Sequence, residues 1–360
     1  MSALPLDLAA SSVDLTRALC DIGSVSDEEG PLADAIEAAV ARVPHLEVTR
    51  VGDTVVARTT LGRERRVVIA GHIDTVPVNG NLPTREATVD GEPHLWGRGT
   101  VDMKAGVAVQ LKLAAELAEP VVDVTWIWYD HEEVGAEENG LRLLAERHPE
   151  LMQGDFAILG EPSNGCIEGG CNGTLRVAIR TRGVRAHSAR AWAGHNAIHD
   201  AAPVLQRLLD HRPAEIEVEG LVYREGLNAV RISGGVAGNV IPDECVVEVN
   251  YRFAPSRSLD QATALVRELF DGFELEVVDA AEGARPGLDD PLAQEFIAAV
   301  GLEPRPKYGW TDVARFSSLG IPAVNFGPGD PTKAHADDES VPLAQILETE
   351  QSLRAWLSPS

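Results

Sequence analysis

The chain has 360 residues, 44% hydrophobic and 24% charged, a composition ordinary for a globular protein and a length sufficient for two domains with sizeable cores. Its formal net charge of −25 argues against nucleic acid and anionic membrane surfaces as partners, because both demand a basic face. No stretch approaches ~18 uninterrupted apolar residues. The N-terminal MSALPLDLAASSVDLTRAL lacks the basic leader and apolar core of a signal peptide, and Cys20, Cys166, Cys171 and Cys245 form no CxxC. A cytoplasmic location with buried free thiols is therefore expected.

Helical spacing of apolar residues predicts helices over 12–20 and 31–42, followed by short strands near 46–50 and 54–59. The run 67–73 (VVIAGHI) is almost wholly apolar, as a strand buried on both faces should be. A helix over 104–117, a buried strand at 121–130, a helix over 139–148 and a strand at 155–160 continue the alternation. This rhythm predicts an α/β fold with a mostly parallel sheet flanked by helices. After about 174 the pattern changes to half-exposed alternation. A strand there, a helix at 196–210, strands at 228–235 and 245–253, a helix at 258–271 and a strand at 273–278 form a ferredoxin-like β-α-β-β-α-β set. The Gly- and Pro-containing stretch 280–290 reads as a return linker. A helix at 291–300, a short helix from Thr311, the strand IPAVNFG and a helix at 342–356 complete the chain. The expected division is a catalytic domain of 1–174 and 286–360 with an inserted α+β domain of 175–285.

The candidate chemistry sits at the ends of the apolar runs. His72 and Asp74 are two apart at a strand end, so their side chains share one side. His72 could bind a metal while Asp74 supports it or a neighbouring ligand, although an isolated HxD is more often a structural histidine. Asp102 follows Gly97, Gly99 and Thr100 in a turn that opens a helix, where it could simply cap. The adjacent Glu132 and Glu133 face different ways, so one can ligate while the other meets an attacking water. Glu161 ends a strand before Pro162, and His335 lies in the loop GPGDPTKAHADDES. Two imidazoles with several carboxylates and no cysteine suit zinc.

Taken together, HxD, GRGTxDMK, EE, GEP and a late His, in that order, resemble the co-catalytic dizinc amidohydrolase and exopeptidase family that includes aminoacylases, acetylornithine deacetylases, carboxypeptidases and desuccinylases. The resemblance spans Gly71 to His335 and implies a zinc-exopeptidase-like fold with an inserted ferredoxin-like lid and dimerisation domain. It implies two zinc ions per chain, with cobalt able to substitute. Asp102 would bridge them, His72 and Glu161 would complete one site, and Glu133 and His335 the other. Glu132 would be the general base, with Asp74 in support. The implied reaction is amide hydrolysis without a covalent acyl-enzyme.

In the lid segment GVRAHSARAWAGHNAI, the resemblance makes His187 a residue that reaches the active site of the other subunit and steadies the oxyanion. Asn239 in GNVIPD and Arg252 in NYRF resemble substrate-contacting positions. Their plainer alternatives are a turn cap and a salt bridge. Thr311 in YGWTDVARF is expected to begin a helix whose free N–H groups suit a substrate carboxylate. Segments such as GHIDTVPVNGNLPTR and GEPSNGCIEGGCNGTLRV look most like the branch that removes succinyl groups from diaminopimelate, on the route to lysine. The chain departs from that branch's better-known members at Cys171–Thr174 and at GWTD, near specificity positions. A homodimer and a small N-acyl amino-acid substrate follow from the resemblance. The alternatives are an acetylornithine deacetylase, a broad N-acyl amino-acid hydrolase, or an inactive metal-binding scaffold.

Overall fold

The computed structural model describes residues 6–359, and every count below refers to them; Met1–Pro5, where the N-terminal reading begins, and Ser360 lie outside the described residues. The chain divides into two compact units, each built around its own sheet.

The first unit holds the chain up to Gly169, Gly287–Arg305 and the chain from Arg315 on. Its main sheet runs in the order Glu47–Val51, Thr54–Arg58, Asp123–Tyr129, Arg66–His72, Phe156–Leu159, Ala323–Asn325, Glu168–Gly169, Arg305–Pro306. The centre is parallel: Arg66–His72 pairs in parallel with Asp123–Tyr129 and with Phe156–Leu159, which pairs in parallel with Ala323–Asn325. All seven residues of Asp123–Tyr129 are buried, so this strand reads as an apolar run without alternation. The flanking strands Thr54–Arg58 and Glu168–Gly169 are antiparallel to their neighbours. Helices Ser12–Asp21, Lys104–Glu116 and Leu343–Leu357 pack together in this unit.

A small antiparallel sheet of Arg85–Val89, Glu92–Trp96 and Ser340–Pro342 was not legible as strands in the sequence. Its middle strand pairs Trp96 with Ser340. That pairing matters, because the loops bearing Asp102 and His335 leave from these two strands.

The second unit comprises Gly170–Pro286 and Pro306–Ala314. Its four-stranded sheet has the order Gly226–Gly234, Glu244–Phe253, Gly173–Arg182, Glu274–Ala281, antiparallel throughout. This is the ferredoxin-like order. Residues of Glu244–Phe253 alternate between partly and fully buried, which places Cys245, Val247, Val249, Tyr251 and Phe253 in one core. Helix Leu259–Leu269 opens with a capping box made by Ser258 and Gln261. The helix expected over 196–210 is two pieces, Ala197–Asp200 and Ala202–Asp210, and Pro203 in the first turn of the second supplies no N–H to carry the ladder on. The hairpin Glu215–Val218 with Leu221–Arg224 was also unread.

Residues 306–314 differ from the expected division, since they cluster with the second unit. The Asn172 N–H donates to Lys307 O at 3.3 Å and Cys171 Sγ approaches Thr311 O at 3.7 Å, which ties this segment to the start of the insert. All four cysteines are buried and free, as expected.

Candidate metal centre

Three neighbouring parallel strands end side by side, and their carboxyl ends deliver most of the candidate residues. His72 closes one strand, Glu132 and Glu133 follow Tyr129 at the end of the next, and Glu161 follows Leu159 on the third. Ligands in α/β sheets collect at this edge. Asp102 reaches it from the turn before helix Lys104–Glu116. The helix comes in close because Gly106 has no side chain: a Cβ there would lie 2.2 Å from Gly160 O. His335 arrives from the loop after Ala323–Asn325.

These residues converge. One set of donor atoms within 4.8 Å of each other comes from His72, Asp102 and Glu161; a second comes from Asp102, Glu133 and His335. Asp102 belongs to both sets. Its Oδ1 lies 3.0 Å from His72 Nε2 and its Oδ2 lies 3.3 Å from His335 Nε2. Glu133 Oε2 is 2.9 Å from His335 Nε2. Ligand atoms bound tetrahedrally to one zinc at about 2.0–2.2 Å stand roughly 3.3 Å apart, so the spacing of these donors and their chemistry both fit divalent ions.

Asp74 does not join the donor sets; it organises them. Its Oδ1 and Oδ2 accept the N–H groups of Glu132 and Glu133, each at 3.0 Å, and Oδ2 accepts from Ser26 Oγ at 2.8 Å. His72 Nδ1 lies 3.1 Å from Asp74 O and 3.4 Å from Asp74 Oδ1, which turns Nε2 toward Asp102. A histidine held through one nitrogen presents the other to a metal. A Glu132 oxygen lies within 4.8 Å of donor atoms of His72 and Glu133, so it can face a molecule lodged between them.

The electrostatics follow from crowding carboxylates around two imidazoles. Hydrogen bonds that His335 donates to the Asp102 and Glu133 carboxylates push its pKa up to about 10, against a smaller opposing effect of burial. For His72, burial favours the neutral ring, but Asp102 and Asp74 outweigh it and hold the pKa well above the ordinary value. Burial works to raise the Asp102 and Asp74 carboxyls. The two histidines overcome it at Asp102, and His72 with two backbone N–H groups overcomes it at Asp74, so both stay below the usual range. Ligation of a metal displaces protons from such imidazoles.

Sequence reasoning missed the supporting layer. His131, at φ 58°, sits among carboxylates: its Nδ1 is 2.8 Å from Asp130 Oδ2 and 3.4 Å from the buried Glu29, and its Nε2 is 3.3 Å from Asp27. Arg98 and Glu339 form a buried ion pair at 2.8 Å. The only signal for either was a charged residue placed inside a motif otherwise explained by its neighbours.

In the second unit, His187 and Asn239 are brought together. Val240 bridges His187, and Ser188 N donates to Asn239 O at 2.9 Å. Both residues are exposed. The Ala189 N–H donates to His187 Nδ1 at 3.1 Å, so the neutral ring carries its proton on Nε2. Arg252 is half-buried on strand Glu244–Phe253, opposite Thr174 and Gly226, and burial draws its pKa down. The expectation for Thr311 needs correction. The helix is Val313–Ser318, only six residues, and begins two positions later. Thr311 itself is buried, and its carbonyl accepts from Ala314 N in the turn that leads into this helix.

Carboxylates and imidazoles gathered at the carboxyl edge of a mostly parallel sheet could hold divalent ions, and the chain's family and relatives make it a metal-dependent amide hydrolase. Residues 68–358 match peptidase family M20/M25/M40, and the chain belongs to that family. It is 51% identical over 355 residues to a Mycobacterium tuberculosis protein provisionally assigned as a succinyl-diaminopimelate desuccinylase, covering 98% of this chain and 99% of that one. It is 47% identical over 364 residues to a succinyl-diaminopimelate desuccinylase of Corynebacterium glutamicum, covering 98% of each. Among solved structures, an M20 family metallo-carboxypeptidase from Sulfolobus solfataricus shares the fold with a TM-score of 0.77 at 17% identity, covering 96% of this chain and 98% of that one.

Proposed function

We propose that this chain hydrolyses N-succinyl-LL-2,6-diaminopimelate to succinate and LL-2,6-diaminopimelate, as a cytoplasmic step toward lysine. The observation that carries the substrate is the near full-length identity to two desuccinylases of that name. Two zinc ions would be held by these residues, His72 and Glu161 supplying one position, Glu133 and His335 the other, with Asp102 common to both. When bound, the ions polarise the scissile carbonyl and lower the pKa of the attacking water. Glu132 takes the proton from that water and passes it to the leaving amine. Asp74 fixes the Glu132–Glu133 turn and the His72 ring, so the base and the ligands keep their spacing. His187, whose Nδ1 accepts from the Ala189 N–H, keeps its Nε2–H to donate to an oxyanion. Asn239 and Arg252 contact the substrate, Arg252 by pairing with a carboxylate.

Strand Gly226–Gly234 is the edge of its sheet and exposes Val230 and Ile232. An exposed apolar edge favours pairing with a second copy, and a homodimer through this unit is part of the proposal.

Side-by-side turnover of N-succinyl-LL-diaminopimelate, N-acetylornithine and simple N-acetyl amino acids by the zinc-loaded protein tests the substrate. The succinylated compound should have the highest kcat/KM. Better cleavage of an acetylated compound rules the substrate out and leaves the hydrolytic chemistry standing.

A further inference from the structure

Asp102 and His335 are carried by separate loops, and a buried pair of opposite charges joins those loops from beneath. Glu339 is fully buried and Arg98 is 4% exposed. Glu339 Oε1 accepts the N–H groups of Val101 at 2.9 Å and Asp102 at 3.2 Å. Its Oε2 accepts from Arg98 Nη1 at 2.8 Å. The same guanidinium donates to Ala336 O at 3.3 Å and to His335 O at 3.4 Å. Gly97 N–H donates to Glu339 O at 3.0 Å, extending the strand pairing of Trp96 with Ser340.

From this geometry we infer that Arg98 and Glu339 are positioning residues, a clasp that sets the distance between the Asp102 and His335 side chains and so tunes the affinity of the metal position they share. The inference rests on the reading of Asp102 and His335 as ligands. Two physical points support it. First, His335 is a non-glycine residue at φ 64°, a conformation L residues adopt reluctantly, and Arg98 holds the carbonyl of that very residue. Second, a buried ion pair is a poor way to gain stability, because well-packed apolar side chains in its place are often as good or better. What the pair does provide is a network whose donors and acceptors are matched in one arrangement of the two loops. The carboxylate grips one loop through its N–H groups, and the guanidinium grips the other through its carbonyls. Neither residue is within a donor set itself.

The test is a zinc titration of the metal-free protein against a chelating indicator, for wild type, Glu339→Gln and Arg98→Lys, with thermal melting of each metal-free protein in parallel. Residues that orient metal ligands typically alter affinity 10–100-fold. Glu339→Gln should therefore weaken the zinc shared by Asp102 and His335 by about tenfold or more, and weaken the other, which shares only Asp102 with the clasp, by a smaller factor. Arg98→Lys keeps the charge but loses the planar fork, so it should weaken the same zinc by a smaller factor. Should Glu339→Gln fail to fold, Arg98→Lys decides on the same criterion. Melting that falls while both zinc affinities stay at wild-type values would overturn the clasp and leave the pair a stabilising contact. Wild-type protein that binds no zinc would overturn the ligand reading and the clasp together. Both outcomes are separate from the substrate question, since no turnover is measured.

Discussion

The two donor sets of the candidate metal centre are built in different ways. On the His72 side, the donors stand at the ends of adjacent parallel strands and are buried: His72 is 1% exposed and Glu161 6%. On the other side, His335 lies on a loop with a side chain 53% exposed, and its partner Glu133 sits in a turn beyond its strand. The first half inherits its geometry from the sheet. The second must be held by side chains, and it is: Asp74 fixes the Glu132–Glu133 turn, the His131 cage lies behind that turn, and Arg98 with Glu339 secures the His335 loop. A strand-built position should bind firmly and a loop-built one should exchange more readily.

Asp102 joins the halves, so its removal should have the largest effect. Asp102→Ala is expected to lose both ions, read by elemental analysis of protein passed through a desalting column. Two ions per chain in that variant would end the bridging assignment. Glu132→Gln should sharpen the picture differently, keeping both ions while kcat drops on the order of 10²–10⁴. A kcat near wild type, or loss of metal, would remove Glu132 from the role of base. His335→Ala bears on the asymmetry itself: one ion should be lost and the strand-held one kept. Equal loss of both would mean that the halves are not independent.

The strand-built half was also the legible half. The apolar run VVIAGHI announces a buried strand, and a His at its end followed two residues later by Asp has few places to point. The ligand-capable residues stood out because each ended an apolar run or broke a Gly/Pro-rich loop. The supports of the loop half did not stand out. Arg98 and Glu339 are 241 residues apart, and only the pairing of Trp96 with Ser340, itself between strands too short to show periodicity, brings them together. Ser26 with Asp74, and Glu29 with His131, are likewise joined through tertiary packing. The helix expected from Thr311 begins at Val313, because the turn through Thr311 precedes its first full helical residue.

The smallest effect concerns the His131 cage behind the Glu133 turn. Burial disfavours a charge on His131, yet Asp130, Glu29 and Asp27 together raise its pKa to about 9. A histidine whose folded pKa exceeds its unfolded value stabilises the fold fully below about pH 6.5 and loses that contribution as pH rises through about 9. Burial raises Glu29 to about 7, and this acts in the same direction at lower pH: the folded state holds a proton that the unfolded state releases, so stability falls as pH rises from about 4.5 to 7. His131→Gln removes the first contribution and also takes away a charge that lowers the Glu29 pKa, so the second contribution shifts with it. Melting temperatures of metal-free wild type and His131→Gln should therefore differ by a few degrees near pH 6.5 and converge toward pH 9 and above. Taking the difference at each pH cancels the shared titration of His72 and His335. A constant gap across that window would mean that the ring is neutral in the cage, and the turn bearing Glu133 would then depend on Asp74 for its charge-assisted support.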